Sequence, residues 1–157
     1  MTGIAQTEST YRQFKTITLY GQSALWPLES YDHGSHIGLM QVAVTMADAF
    51  NWQTNTADGV SLFTNQKLPA GIRNENRIIA AHAGLARLTA SQEEDMAVGL
   101  YGPGASGNLA RQVYIPVCVG GTVMGVQCLK GTWQWQYNTT GNMTAVNYVN
   151  TVRSNLQ

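Results

Sequence analysis

Charge is the scarcest property of this chain. Nine Lys or Arg and nine Asp or Glu make up 11% of its 157 residues, against about a quarter in an ordinary soluble domain. The formal net charge is zero and the sequence holds no basic block. A nucleic-acid ligand is excluded as the main partner, because neutralising phosphates needs clustered Lys and Arg. Long apolar runs are also missing. None approaches the roughly 20 residues of a membrane-spanning helix, so no membrane span is expected. The first residues, Met1-Thr2-Gly3-Ile4-Ala5-Gln6, lack the basic start and apolar stretch of a signal peptide. Cysteine and histidine are sparse, with two and three copies. Cys118 and Cys128 do not have zinc-site spacing. His33 and His36 flank Gly34-Ser35 with only Asp32 nearby, too few ligands for a metal. We expect no metal and no cofactor.

What remains is polar without charge: Asn, Gln, Thr and Ser. Such a surface suits a neutral, hydroxyl-rich ligand, and carbohydrate is the obvious class. At this length one domain over residues 1–157 is expected, with a genuine core. It can equally be a module of a longer protein.

Hydrophobic spacing outlines mostly helices. Residues 3–13 form a short helix with Ile4, Thr7, Glu8 and Tyr11 on one face. Residues 14–37 read as a long loop with strand-like pieces and two exposed aromatics, Tyr20 and Trp26. Loops of that length are usually functional. A helix is expected over 38–50. Cap chemistry follows at 51–55, then a helix from Thr56 to Leu68 that Pro69 breaks. Further helices are expected over 72–89, 91–101 (capped by Thr89 or Ser91), 105–115 and 142–155. In the last, Val146, Val149 and Val152 recur every third residue. Between Val113 and Leu129 two apolar strands flank Gly120-Gly121-Thr122. A hairpin centred near Val123 would set Cys118 opposite Cys128, where a disulfide and two buried thiols are both open. Asn138-Thr139-Thr140 and Asn142-Met143-Thr144 fit the glycosylation pattern but read as turn chemistry.

Chemistry concentrates in Glu8-Ser9, at a helix end, and Gly38-Leu39-Met40-Gln41 downstream. Trp52 with Asn55, then Tyr101-Gly102-Pro103-Gly104, then Tyr148-Val149 follow in order. This series resembles the catalytic domain of lytic transglycosylases and goose-type lysozymes, across nearly the whole chain. The resemblance implies a mostly helical α+β lysozyme-like fold with a small β-hairpin. It implies cleavage of the MurNAc–GlcNAc β-1,4 bond of peptidoglycan by one glutamic acid, closing a 1,6-anhydro ring. On this pattern Glu8 is the acid and then the base. Ser9, Met40, Gln41, Tyr101 and Tyr148 contact substrate. The glycan strand is the partner. Setting and location would be the periplasm or cell wall after secretion or delivery, as a phage lysin, a wall-remodelling enzyme or an antibacterial effector. An effector implies an immunity protein that plugs the cleft.

Two departures stand out. The gap from Glu8 to Gly38 is long, implying an inserted loop, and Gly102 replaces the family's usual Asn. Glu29-Ser30 repeats the Glu-Ser pair and is the rival acid. It lies close to Gly38, and Pro27 disfavours a helix there, so Glu8 is preferred. The bland reading of either is a solvated surface glutamate. Glycosidic acid catalysis requires a carboxyl kept protonated by burial. Ordinary hydrolysis needs a second carboxylate, and Asp32 is the only one in the loop before Gly38. It would position a water, or else order the loop. Trp133 and Trp135 alternate on a strand, where one can wall a sugar subsite and the other pack in the core. His82 is expected to be structural. Two other functions stay in view: a hydrolytic muramidase, and a catalytically silent glycan-binding module.

Overall fold

The computed structural model describes residues 1–30, 35–43, 45–102, 112–139 and 144–156. Helix (47%) outweighs strand (26%), and the described strands pair only in twos, an α+β arrangement with small antiparallel sheets. The chain divides into two compact units, residues 1–62 with 151–157 and residues 63–150.

The first unit opens with α1 (Thr2–Ser9), which buries Gly3, Ile4, Ala5 and Ser9. A Cβ on Gly3 would meet the Val152 carbonyl oxygen at 2.4 Å. The helix packs closely against Val152 and Leu156. Thr10 and Tyr11 both take left-handed φ, 52° and 60°, which ends the helix. The expected helix over 3–13 therefore stops at Ser9, and Tyr11 turns to solvent.

The segment expected as a long loop begins as a regular hairpin. Strands β1 (Phe14–Leu19) and β2 (Gln22–Pro27) pair from Phe14↔Pro27 to Leu19↔Gln22. Tyr20 and Gly21 close it with φ of 49° and 78°, the paired positive φ of a type I′ turn. Strands β3 (His36–Ile37) and β4 (Val42–Ala43) pair around Gly38–Gln41. The helix expected over 38–50 is thus a tight turn followed by a short α2 (Met46–Phe50). The reason is local. Gly38 and Gln41 sit at φ of 79° and 48°, outside the helical basin. Thr45 caps α2 through the Asp48 N–H at 3.0 Å. The Asn51 Oδ1 accepts from Gln53 N at 2.9 Å and starts α3 (Trp52–Leu62).

The second unit begins with a π-helical turn (Phe63–Lys67) leading into α4 (Leu68–Ala81). Pro69 does not break the chain's helical course. It lies in the first turn of α4, where a missing N–H costs no bond, behind a widened turn. Helix α4 ends at Ala81, short of the expected 89. The buried Glu75 holds the segment after it. Its Oε1 accepts from Leu88 N at 2.7 Å, and its Oε2 accepts from Arg87 at 3.2 Å. Thr89 and Gln92 form the capping box of α5 (Ala90–Tyr101). Met96, Ala97 and Val98 of α5, Ile78 of α4 and Val113 are buried in this unit. So are Ala145, Val146 and Val149 of α6 (Thr144–Ser154), whose last turn belongs to the first unit. The valine spacing read from the sequence is the buried stripe of α6. Of the helix expected over 105–115, residues 105–111 lie outside the described residues, and Tyr114 and Ile115 belong to a strand.

That strand, β5 (Tyr114–Val119), pairs with β8 (Thr132–Tyr137), and β6 (Thr122–Met124) with β7 (Gln127–Leu129). Gly125 (φ 60°) and Val126 make a two-residue turn. The two ribbons meet where Gly121 and Gly131 approach too closely for any Cβ, at 2.5–2.6 Å from each other's backbone nitrogen. Cys118 and Cys128 form a disulfide with Cα atoms 5.4 Å apart. The register differs from expectation: Cys118 faces Trp133 and Cys128 faces Val123. The bond staples the two ribbons together instead of crossing one hairpin.

Candidate functional site

In the first unit Glu8 is the penultimate residue of α1 and is half-buried. Its neighbour Ser9 is buried, and its hydroxyl lies 2.8 Å from the Leu39 carbonyl oxygen. This ties the Glu-Ser helix end directly to the Gly38–Gln41 turn. Two buried amides complete the fastening. The Gln13 Oε1 accepts from Leu39 N at 2.9 Å, while its Nε2 donates to Asp48 O at 2.7 Å and Ala49 O at 3.1 Å. The Asn55 Oδ1 accepts from Met40 N at 2.7 Å, and its Nδ2 donates to Ile37 O at 2.8 Å. The turn's backbone polar groups are thus satisfied by side chains from α3 and from the segment after α1, as burial requires.

Glycine is imposed at two points. A Cβ on Gly38 would lie 2.5 Å from the Asn55 amide nitrogen and 2.7 Å from the Gln13 amide, at a φ that disfavours L side chains. A Cβ on Gly59 of α3 would lie 2.6 Å from Met40 Cβ.

Several expected roles change. Ser9 is a fastener with its hydroxyl turned inward, not a substrate contact. Met40 is only 1% exposed, seated over Gly59, and supports the turn from beneath without lining a cleft. Gln41 is not the first residue of a helix. Its Nε2 donates to Gly38 O at 2.7 Å and to Leu28 O at 3.2 Å. Both amide protons serve the turn, so any sugar contact falls to its Oε1.

Glu29 is unfit as an acid. It is exposed, accepts from Lys15 Nζ at 2.7 Å and accepts from Trp26 Nε1 at 3.0 Å. These hydrogen bonds, led by that from Lys15, hold its carboxyl below the ordinary value. It is ionised at neutral pH and has no proton to give. Asp32 and His33 lie outside the described residues. Among the described residues no three His, Cys, Asp or Glu side chains gather into a metal-binding group.

The first unit also holds a carboxyl pair with no counterpart in the sequence-based reading. Asp48 is buried and takes a short hydrogen bond from the Thr45 hydroxyl. Asp58 on α3 is raised above the ordinary aspartate value, first by hydrogen bonding to Asp48 and then by its charge. The Thr45-x-x-Asp48 spacing matches a capping pattern that the expected helix over 38–50 overlooked, and nothing local marks the pairing with Asp58.

In the second unit Tyr101 ends α5 and Tyr148 lies on α6, both half-buried. The Tyr148 ring covers Gly102, where a Cβ would come within 2.6 Å of it. Any side chain larger than glycine at position 102 therefore meets a steric obstacle. The Tyr114 hydroxyl donates to Asp95 at 3.1 Å, and its ring stacks on Tyr137. Trp135 Nε1 donates to Ala86 O at 2.8 Å, and Trp133 meets His82 edge-on at 4.6 Å. His82 is structural, with its Nδ1 2.7 Å from Ile78 O. Asn138 is buried and donates to Gln112 O at 3.0 Å, a contact between distant segments and not the local turn expected there. A groove of about 450 Å³ runs between Ala80, Ala81 and Ala83 on one side and residues 126–129 with Trp133 on the other. None of its described lining residues carries an ionisable side chain.

No helix among the described residues is long and apolar enough to cross a membrane. Comparison with family models, curated proteins and solved structures finds no match to this chain.

Proposed function

We propose that this protein is a peptidoglycan lytic transglycosylase with Glu8 as its acid and base. One observation carries the reading. The Glu8-Ser9 helix end and the Gly-Leu-Met-Gln turn, 30 residues apart in sequence, are joined through the Ser9 hydroxyl and Leu39 O. The two motifs of the resemblance meet, and buried amides hold them rigid. Rigid presentation is what acid catalysis needs. The ion-paired Glu29 leaves Glu8 as the better candidate.

In this mechanism the Glu8 carboxyl protonates the β-1,4 glycosidic oxygen as its bond to C1 of MurNAc breaks. The released GlcNAc keeps that proton on its 4-hydroxyl. The Glu8 carboxylate then takes the proton of the MurNAc C6 hydroxyl, whose oxygen bonds to C1. A 1,6-anhydro ring forms, Glu8 is protonated again, and no water is consumed. General acid catalysis of this kind contributes about 10²–10⁴ in rate.

Turbidity of purified peptidoglycan tests the assignment. Wild type should clear it, and Glu8→Gln should clear it at least about 100-fold more slowly. Equal clearing by both removes Glu8 from catalysis, and clearing by neither returns the protein to a glycan-binding role.

A further inference from the structure

Four exposed large apolar side chains of the first unit, Leu19, Tyr20, Leu25 and Trp26, lie together on the β1–β2 hairpin. Trp26 stands apart from the rest. Its ring is 42% exposed, yet it is clamped. The indole N–H donates to Glu29 Oε1 at 3.0 Å, and Glu29 Oε2 takes Lys15 Nζ at 2.7 Å. Lys15 is also the cross-strand partner of Trp26. An exposed ring fixed this way loses little freedom on binding.

The same face continues through Ile17↔Ala24 to Leu19↔Gln22. Lys15 is the only charged residue in either strand, and Glu29 neutralises it. A neutral face with no free cation does not suit an anionic lipid surface, which draws on unpaired basic side chains. It does suit a neutral pyranose, whose C–H face stacks on an aromatic ring while its hydroxyls meet the flanking charged pair. The hairpin is also continuous with the candidate site. Leu28 N donates to Gln13 O at 2.9 Å, while Leu28 O accepts from Gly38 N at 2.8 Å and Gln41 Nε2 at 3.2 Å. Glu29 bridges to Ile37.

We infer that this hairpin is a glycan-docking arm, with Trp26 stacking on a sugar of the strand and the Lys15–Glu29 pair hydrogen-bonding its hydroxyls. The inference rests on the glycan reading above but not on catalysis. It makes Trp26 a substrate-positioning residue and assigns a purpose to the insertion between Glu8 and Gly38.

The test is co-sedimentation with insoluble purified peptidoglycan in the Glu8→Gln background. Adding Trp26→Ala should weaken binding about tenfold, roughly 1.4 kcal/mol. Trp26→Phe should retain part of it. Leu25→Ala, on the opposite face and 70% exposed, should leave binding unchanged. Thermal unfolding of each variant controls for folding. Equal loss in Trp26→Ala and Leu25→Ala means general stickiness and overturns the arm. So does unchanged binding in Trp26→Ala, or a concentration-dependent dimer that Trp26→Ala abolishes. If wild type releases no product while Trp26 still governs binding, the arm stands and the catalytic reading falls. If wild type cleaves and Trp26→Ala binds and cleaves like it, the arm falls alone.

Discussion

Replacing Asn55 with Ala should dismantle the Gly38–Gln41 turn. Asn55 is fully buried and serves two buried backbone groups, Met40 N–H at 2.7 Å and Ile37 C=O at 2.8 Å. Alanine reaches neither. Each buried group left without a partner costs about 1–3 kcal/mol, so the pair predicts a loss of about 2–6 kcal/mol. That is a large share of the roughly 5–15 kcal/mol that holds a domain together. Urea unfolding is the assay. At a slope near 2 kcal/mol/M the midpoint should fall by about 1–3 M with the slope unchanged. Wall clearing should fall as well, because Met40 and Leu39 carry the turn that Ser9 grips. Asn55→Asp is the companion variant. It keeps an acceptor for Met40 N–H but sets a carboxylate against Ile37 O, so it should be unstable at neutral pH and partly recover in acid. A midpoint shift below about 0.5 M for Asn55→Ala, with clearing intact, would refute the view that this amide organises the site.

Four further outcomes are expected. Restoring Asn at Gly102 drives a Cβ into the Tyr148 ring; overpacking of about 1–3 kcal/mol should lower the melting temperature by several degrees in calorimetry. Burial, with hydrogen bonding to Tyr137 and the charge of Asp95, raises the Tyr114 phenol well above its ordinary value. Its stabilisation is full below the unfolded phenol value, about 10, and is lost as pH rises above it. Ultraviolet titration should therefore show one tyrosine of seven ionising only on alkaline unfolding, and Tyr114→Phe should flatten the alkaline loss. The raised Asp58 carboxyl reverses the usual acid trend: stability is full below the unfolded aspartate value and declines as pH climbs through the folded one. Asp58→Asn should raise the neutral-pH melting temperature, with the gain vanishing in acid. Reducing the Cys118–Cys128 bond, which spans ten positions, should cost about 2–3 kcal/mol on the chain-entropy account; faster hydrogen exchange confined to residues 114–137 would report it.

Legibility followed the range of the interactions. The α6 valine stripe and the Thr89 cap depend on neighbours within a few positions, and they are where the sequence put them, whereas the expected turn over 51–55 is already helix from Trp52, capped by Asn51. The turn at Gly38–Gln41 is different. Its residues have a helical apolar spacing, but Gly38 and Gln41 adopt left-handed φ around Leu39 and Met40, whose backbone N–H groups are held by Gln13 and Asn55 from elsewhere. No local pattern announces that. Pro69 read as a break because the π turn that accommodates it leaves no compositional mark. The two cysteines were legible as a candidate pair, but the register was not, since Gly121 and Gly131 split one long hairpin into two ribbons. At the site, the Glu-Ser and Gly-Leu-Met-Gln motifs were visible. The inward roles of Ser9, Met40 and Gln41 were not, because residue type alone does not say which way a side chain faces.

Mass spectrometry of the soluble products released from purified peptidoglycan by wild type and by Glu8→Gln is the most direct test. The account predicts muropeptides ending in 1,6-anhydro-MurNAc, lighter by one water than hydrolysis products, from wild type and none from the variant. Reducing-end products alone would contradict the transglycosylase chemistry, and anhydro products from Glu8→Gln would contradict the role of Glu8.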